Sequence, residues 1–303
     1  MQGVDHYENF PVASWLCPPD LRPPIAAIYH FARTADDLAD EGDAPAEQRL
    51  ASLRAYRAEL MRASEEASAS APATPAASSQ WPEIFQPLAR VIRQHRLPVT
   101  LLHALLDAFE QDVRHTAAGL RYPDMPALLD YCSRSANPVG RLLLHLYGVD
   151  DKISLEQSDA ICSALQLINF WQDLSIDLPR GRLYLPADAL ERHGVEPAQL
   201  MAQRQPYPAA EAMVQALSAQ ARHLMMQGAP LPHRLPGRVG WELRLVIQGG
   251  LRILDKIETL HGRTWLHRPR LTLADGPLLL WRVVRHSPPV GSTAAAPPTH
   301  HRP

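Results

Sequence analysis

Lysine is almost missing from this 303-residue chain: Lys152 and Lys256 are the only two, and arginine carries the rest of the positive charge. The formal net charge is −2, which leaves no basic footprint for a nucleic-acid partner. Cysteine is nearly as sparse. Cys17, Cys132 and Cys162 are scattered without metal or redox spacing, which argues against a disulfide framework or a thiolate metal cluster and fits a reducing compartment. No uncharged apolar run is long enough to span a bilayer. Asp5, His6 and Glu8 interrupt the start, where a signal peptide would be apolar. The expectation is a cytoplasmic protein whose contact with the inner membrane, if any, is peripheral. Strand-period alternation is rare, and an internal repeat and a Gly-rich dinucleotide fingerprint are absent.

What the chain does have is apolar periodicity at the helical step. It predicts helices over about 24–40, 47–63, 84–95, 98–115, 126–135, 139–147, 155–177, 209–227 and 238–261. Asn137-Pro138 is expected to break one of them. The fold class expected is all-α, in a single domain over 1–286. Residues 64–80, SEEASASAPATPAASSQ, read as a flexible loop, and 287–303 as a disordered tail.

The stretch 166–186, QLINFWQDLSIDLPRGRLYLP, organises the rest. Gln166, Asn169, Asp173 and Asp177 recur at steps of three, four and four, which places them on one face of a helix. Their neighbours are largely apolar, so the helix is expected to be buried with acids on an inner face. Buried carboxylates need partners, and a divalent cation is a good one. Pro179 and Gly181 end the helix. An echo lies in RTADDLADE, where Asp36 and Asp40 are again four apart, with Asp37 beside them, Arg33 one turn earlier and Tyr29 one turn before that. Two helices that each present an aspartate pair can face each other across a cavity and hold Mg²⁺, which completes its shell with water and substrate phosphate.

These motifs resemble those of the squalene/phytoene synthase family. ADDLADE at 35–41 and NFWQDLSID at 169–177 match its two aspartate-rich motifs, GRLYLP at 181–186 follows the second, and YCSRSANPVG at 131–140 matches a third segment. The resemblance runs over roughly 5–265. It implies the isoprenoid-synthase helical bundle with a central cavity, and a prenyl diphosphate as substrate. HYENFPVAS near the start, FWQDLSID and GGLRILDKI at 249–257 point to the branch that makes hydroxysqualene from presqualene diphosphate in bacterial hopanoid biosynthesis. By that resemblance Mg²⁺ is held by Asp36, Asp40, Asn169, Asp173 and Asp177. Arg33, Tyr29 and Gln166 contact the diphosphate, His6 and Asn9 belong to a segment closing over it, and Tyr131 lines the cation pocket. Asp37 is grouped with the catalytic acids.

The departures from the family pattern carry information. Gln172 stands where Arg is usual, Ile176 where Glu is usual, Ala136-Asn137-Pro138 where Ala-Gly is usual, and Gly250 where a Tyr is common. Losing Arg and Glu from the second motif suits an enzyme that handles one diphosphate. Gly250 is expected to leave room for a water, and Asn137 or Tyr131 to orient it. NADPH is not expected as a cofactor. Two other functions stand beside this one. One is condensation of two farnesyl diphosphates to presqualene diphosphate or squalene. The other is a non-catalytic prenyl-diphosphate binder that contacts a sister presqualene diphosphate synthase.

Overall fold

The structure, a computed structural model, describes residues 17–68, 79–202, 205–235 and 237–285. Among these residues every regular element is helical. In chain order they are α1 (Arg22–Asp40), α2 (Ala46–Ser68), α3 (Pro82–His95), α4 (Val99–Ala118), α5 (Met125–Ser135), α6 (Asn137–Leu146), α7 (Lys152–Gln172), α8 (Leu174–Asp177), α9 (Ala187–His193), α10 (Pro197–Ala202), α11 (Pro208–Gly228), α12 (Val239–Thr259) and α13 (Gly276–Arg285).

Local chemistry sets many of the boundaries. Prolines open α1 and α3, where a missing N–H goes unnoticed. The Asp124 and Asp151 side chains accept from the backbone N–H of Ala127 (2.9 Å) and Ser154 (3.1 Å) to cap α5 and α7. Ala136, at φ −121° and ψ −48°, separates α5 from α6, so the chain bends one residue before Asn137-Pro138.

Three expectations need correction. α2 continues to Ser68, because Glu65, Glu66 and Ala67 are good helix formers, so 64–68 are helix rather than loop. Residues 69–78 and the 287–303 tail lie outside the described residues. The helix expected over 155–177 is two helices, interrupted at Asp173. α9, α10 and α13 were not anticipated. The first two are too short to show a period, and α13 has apolar residues on more than one side.

Two apolar cores form. In one, Phe31, Tyr56 and Phe85 pack ring against ring among leucines of α2, α3 and α4. In the other, α7 lies against α11 and α12 around Trp171, Ile161, Met213 and Leu254. Glycines let α7 sit unusually close to its neighbours. A Cβ on Gly140 of α6 would run into Ser158 Oγ and stand 2.6 Å from Cys162 Sγ. One on Gly228 of α11 would meet Ile161 and stand 2.6 Å from the Gln157 carbonyl. Among the described residues no helix is long and apolar enough to cross a membrane.

Candidate active site

A cavity of about 1460 Å³ opens between the two cores and is lined from both. One wall is α1. Its apolar stripe, with Ala27, Ile28, Phe31 and Ala35, is buried, which turns Tyr29, Arg33, Asp36 and Asp40 toward the cavity. Arg33 reaches Asp36 at 3.3 Å and Asp37 at 2.7 Å. Arg182, from the exit of α8, binds Asp40, with Nη1 3.0 Å from Oδ2. Burial pushes the Asp36 carboxyl up, and Arg33 offsets part of that push.

The opposite wall is the end of α7 and the start of α8. The helix is broken at Asp173 (φ −100°, ψ 14°), yet Gln166, Asn169, Asp173 and Asp177 all line the cavity. Arg268 donates to both oxygens of Asp173, at 2.5 and 3.0 Å. Burial, and then the charge of Asp173, pushes Asp177 up to about 7. The chain leaves this wall through Gly181, whose φ of 73° is one that L side chains rarely adopt.

Between the walls stands Asp112 of α4, an acid that motif reading missed. Tyr131 donates a short hydrogen bond to its Oδ2, and Tyr184 donates to Oδ1 at 3.5 Å. Asp112 faces the cavity and is partly buried, and burial pushes its carboxyl up to about 7. Tyr131 and Tyr184 are in turn raised by burial and by the neighbouring Asp112. Tyr184 stacks on Phe170, with ring centroids 3.9 Å apart. Phe170 therefore lines the cavity as well as filling the core, whereas Trp171 is wholly buried. A signal for Asp112 existed: Phe109, Asp112, Val113 and Thr116 share one helix face, and all line the cavity. Tyr184 and Arg182 lie in GRLYLP, but nothing in the sequence marks their partners, nor the pairing of Arg268 with Asp173.

Other expected residues are placed elsewhere. Asp37 is not in the cavity lining; its carboxylate takes Arg33. Asn137 is buried and is not among the lining residues, with Oδ1 accepting from Ser163 at 2.8 Å rather than facing the cavity. Gly250 leaves no room for a water. Met225, Leu165 and Ile168 fill the space beside it, within 3.0–3.3 Å of where a Cβ would stand. Gln172 is not among the lining residues and donates to the Pro269 carbonyl at 2.9 Å. His6 and Asn9 lie outside the described residues.

The squalene/phytoene synthase family matches residues 4–275. The chain belongs to this family. A hydroxysqualene synthase from Rhodopseudomonas palustris is 34% identical over 83% of this chain and 80% of its own. The presqualene diphosphate synthase of the same organism is 33% identical over 64% of this chain and 63% of its own. The crystal structure of squalene synthase HpnC from Alicyclobacillus acidocaldarius superposes with a TM-score of 0.72 at 34% identity, over 84% of this chain and 90% of that one. The isoprenoid-synthase helical fold expected from the sequence is thereby shared.

Squalene/phytoene synthases typically use a divalent metal. Among the described residues no three acids, histidines or cysteines converge as a preformed cage. The donors present are nonetheless hard oxygens on two facing walls, and Mg²⁺ needs only one or two protein carboxylates when substrate phosphate supplies the rest. Asp36, Asp40, Asn169, Asp173 and Asp177 fit that requirement, with Arg182 and Arg268 now holding Asp40 and Asp173.

Proposed function

We propose that this squalene/phytoene synthase converts presqualene diphosphate to hydroxysqualene. Asp112, held by Tyr131 on the cavity wall, carries the reading: water capture needs a base, and this carboxylate is placed to be one. Arg33, Tyr29 and Gln166 hold the diphosphate. Asp36, Asp40, Asn169, Asp173 and Asp177 would hold Mg²⁺, which when bound stabilises the charge growing on the leaving group. The carbon–oxygen bond breaks and its electron pair leaves with the diphosphate.

The carbocation lies among apolar side chains and the faces of Phe170, Tyr131 and Tyr184, whose negative quadrupoles favour a cation. A water hydrogen-bonded to Tyr131 Oη attacks it. The water's proton passes to Tyr131 as the Tyr131 proton passes to Asp112 Oδ2, so the base ends neutral, the form its buried site prefers. The apolar walls keep other water out.

The family relatives support this reading by name, since hydroxysqualene synthases are among them. Condensation of two farnesyl diphosphates is the second reading, favoured by the similarity to presqualene diphosphate synthase. Each substrate is to be incubated separately with enzyme and Mg²⁺ in ¹⁸O-water, with and without NADPH. The expected result is label in a C30 alcohol made from presqualene diphosphate, independent of NADPH. Squalene as the main product, rising with NADPH, overturns water capture.

A further inference from the structure

The most exposed apolar surface lies away from the acids, in the last described stretch. Leu271, Leu273, Leu280, Trp281 and Val284 are five of the eleven exposed large apolar side chains among the described residues, although 271–285 is a short segment. Leu273 is 99% exposed, Val284 63%, Leu280 60% and Trp281 55%. On α13 the exposed positions are Pro277, Leu280, Trp281, Val284 and Arg285, a spacing that forms one helix face. A surface helix normally buries that stripe. Here Val283 is buried instead, and Arg282 ties the underside to Asp255 at 2.8 Å.

Charge decides what could cover this face. From residue 262 to 285 the chain has Arg263, Arg268, Arg270, Arg282 and Arg285; Arg263, Arg268 and Arg282 pair with Glu211, Asp173 and Asp255, so Arg270 and Arg285 are the charges this face presents. Asp275 is buried and bonded by Arg252 (2.8 Å) and Lys256 (2.6 Å). Arg285 lies over the Trp281 ring, 5.0 Å from its centroid. The remaining chain, 286–303, has Val290 as its only large apolar side chain and little with which to cover a Trp and three aliphatic residues. A second copy related by a two-fold axis would bring arginine against arginine.

We propose that residues 271–285 form a docking face for an anionic bilayer surface. Leu273, Leu280, Trp281 and Val284 seat among the acyl chains, while Arg270 and Arg285 meet the phosphate headgroups. The face is continuous with the cavity: Arg268 and Arg270 line it, and Lys256 fixes the turn by binding the Arg270 carbonyl at 2.7 Å. Handing an apolar C30 product to lipid is the use this placement suggests, and that part alone rests on the reaction proposed above.

The test is co-sedimentation of the full chain with phosphatidylcholine vesicles, with or without phosphatidylglycerol. The wild type is expected to pellet with the anionic vesicles, and the Leu280→Ser/Trp281→Ser double variant to bind about tenfold more weakly or worse, as loss of two interfacial apolar side chains implies. Trp281→Phe should keep most of the binding, and Arg285→Glu should lose affinity for anionic vesicles only. Circular dichroism melts should match throughout, because the replaced side chains are exposed. Equal pelleting of the double variant, failure of the wild type to bind anionic vesicles, or light scattering that shows a dimer split by the double variant without vesicle binding would each overturn the proposal. Turnover of presqualene diphosphate in detergent is read separately, so a negative vesicle result leaves the reaction standing.

Discussion

The two acidic walls share a spacing but are held differently. Asp36 and Asp40 belong to one uninterrupted helix. Asp173 sits in a break, and Asp177 in the short helix beyond it. Asp40 is tied by Arg182, 142 residues away, and Asp173 by Arg268, 95 residues away. The first tie thus comes from the exit of the second wall, and the second from the segment leading to the docking face. Equal motifs in the sequence have become unequal sites in the fold. Each arginine neutralises an acid that its helix alone would leave exposed to its neighbours' charge.

The largest effect should come from removing an acid that faces the cavity. Asp36→Ala or Asp173→Ala is expected to lower turnover about 10²–10³-fold or more with the fold intact. Asp37→Ala, outside the lining, should stay within a few-fold. Product formation against Mg²⁺ concentration, with circular dichroism alongside, checks this. A folded Asp173→Ala enzyme near the wild-type rate in chelator would remove the metal assignment.

Asp112 senses both walls, since the charges of Asp36 and Asp177 each raise it. Its folded carboxyl titrates at about 7, against about 3.9 in the unfolded chain. The folded protein therefore binds that proton more tightly. Stability linked to this group is fully present below about pH 4 and is lost as pH rises to about 7. Asp112→Asn should be more stable than wild type at pH 8 by roughly 2–4 kcal/mol, with the difference vanishing near pH 4. Urea unfolding at the two pH values measures it. In an Asp36→Asn background the gain should shrink, and an unchanged gain would mean the first wall does not press on Asp112.

A smaller effect separates the two clamps. Arg268→Ala is expected to lose about 1–3 kcal/mol and Arg182→Ala less, because each arginine reaches both oxygens of its partner but Arg268 is the less exposed. Denaturant midpoints of the two variants decide the order, and the reverse order would break the comparison.

Most of the long helices were legible because an apolar stripe must repeat at the helical step. The break at Asp173 was not, since neither Gly nor Pro marks it and the pattern runs on through α8. The spacing of Gln166, Asn169, Asp173 and Asp177 still picked out four residues that line the cavity together. The reading of Asn137 and Gly250 failed for a different reason. A departure from a family pattern says that a side chain changed, not which way it points, and Ser163, Met225 and Leu165 had already filled those spaces. Arg182, Arg268 and the partners of Asp112 were illegible because contacts across 19 to 142 residues leave no local period. α13 was hidden because its apolar residues lie on more than one side and so leave no single stripe.

The glycine notches at Gly140 and Gly228 bear on how this scaffold could be retooled. α7 is pinned by two contacts too close for even a methyl group, so the wall it carries has no slack to evolve by sliding. Changes in the length or shape of the accepted hydrocarbon would have to come from side chains facing α7. Ile28 on α1 and Val246 on α12 line the same cavity, and a library built there would explore new products while leaving the fixed wall alone.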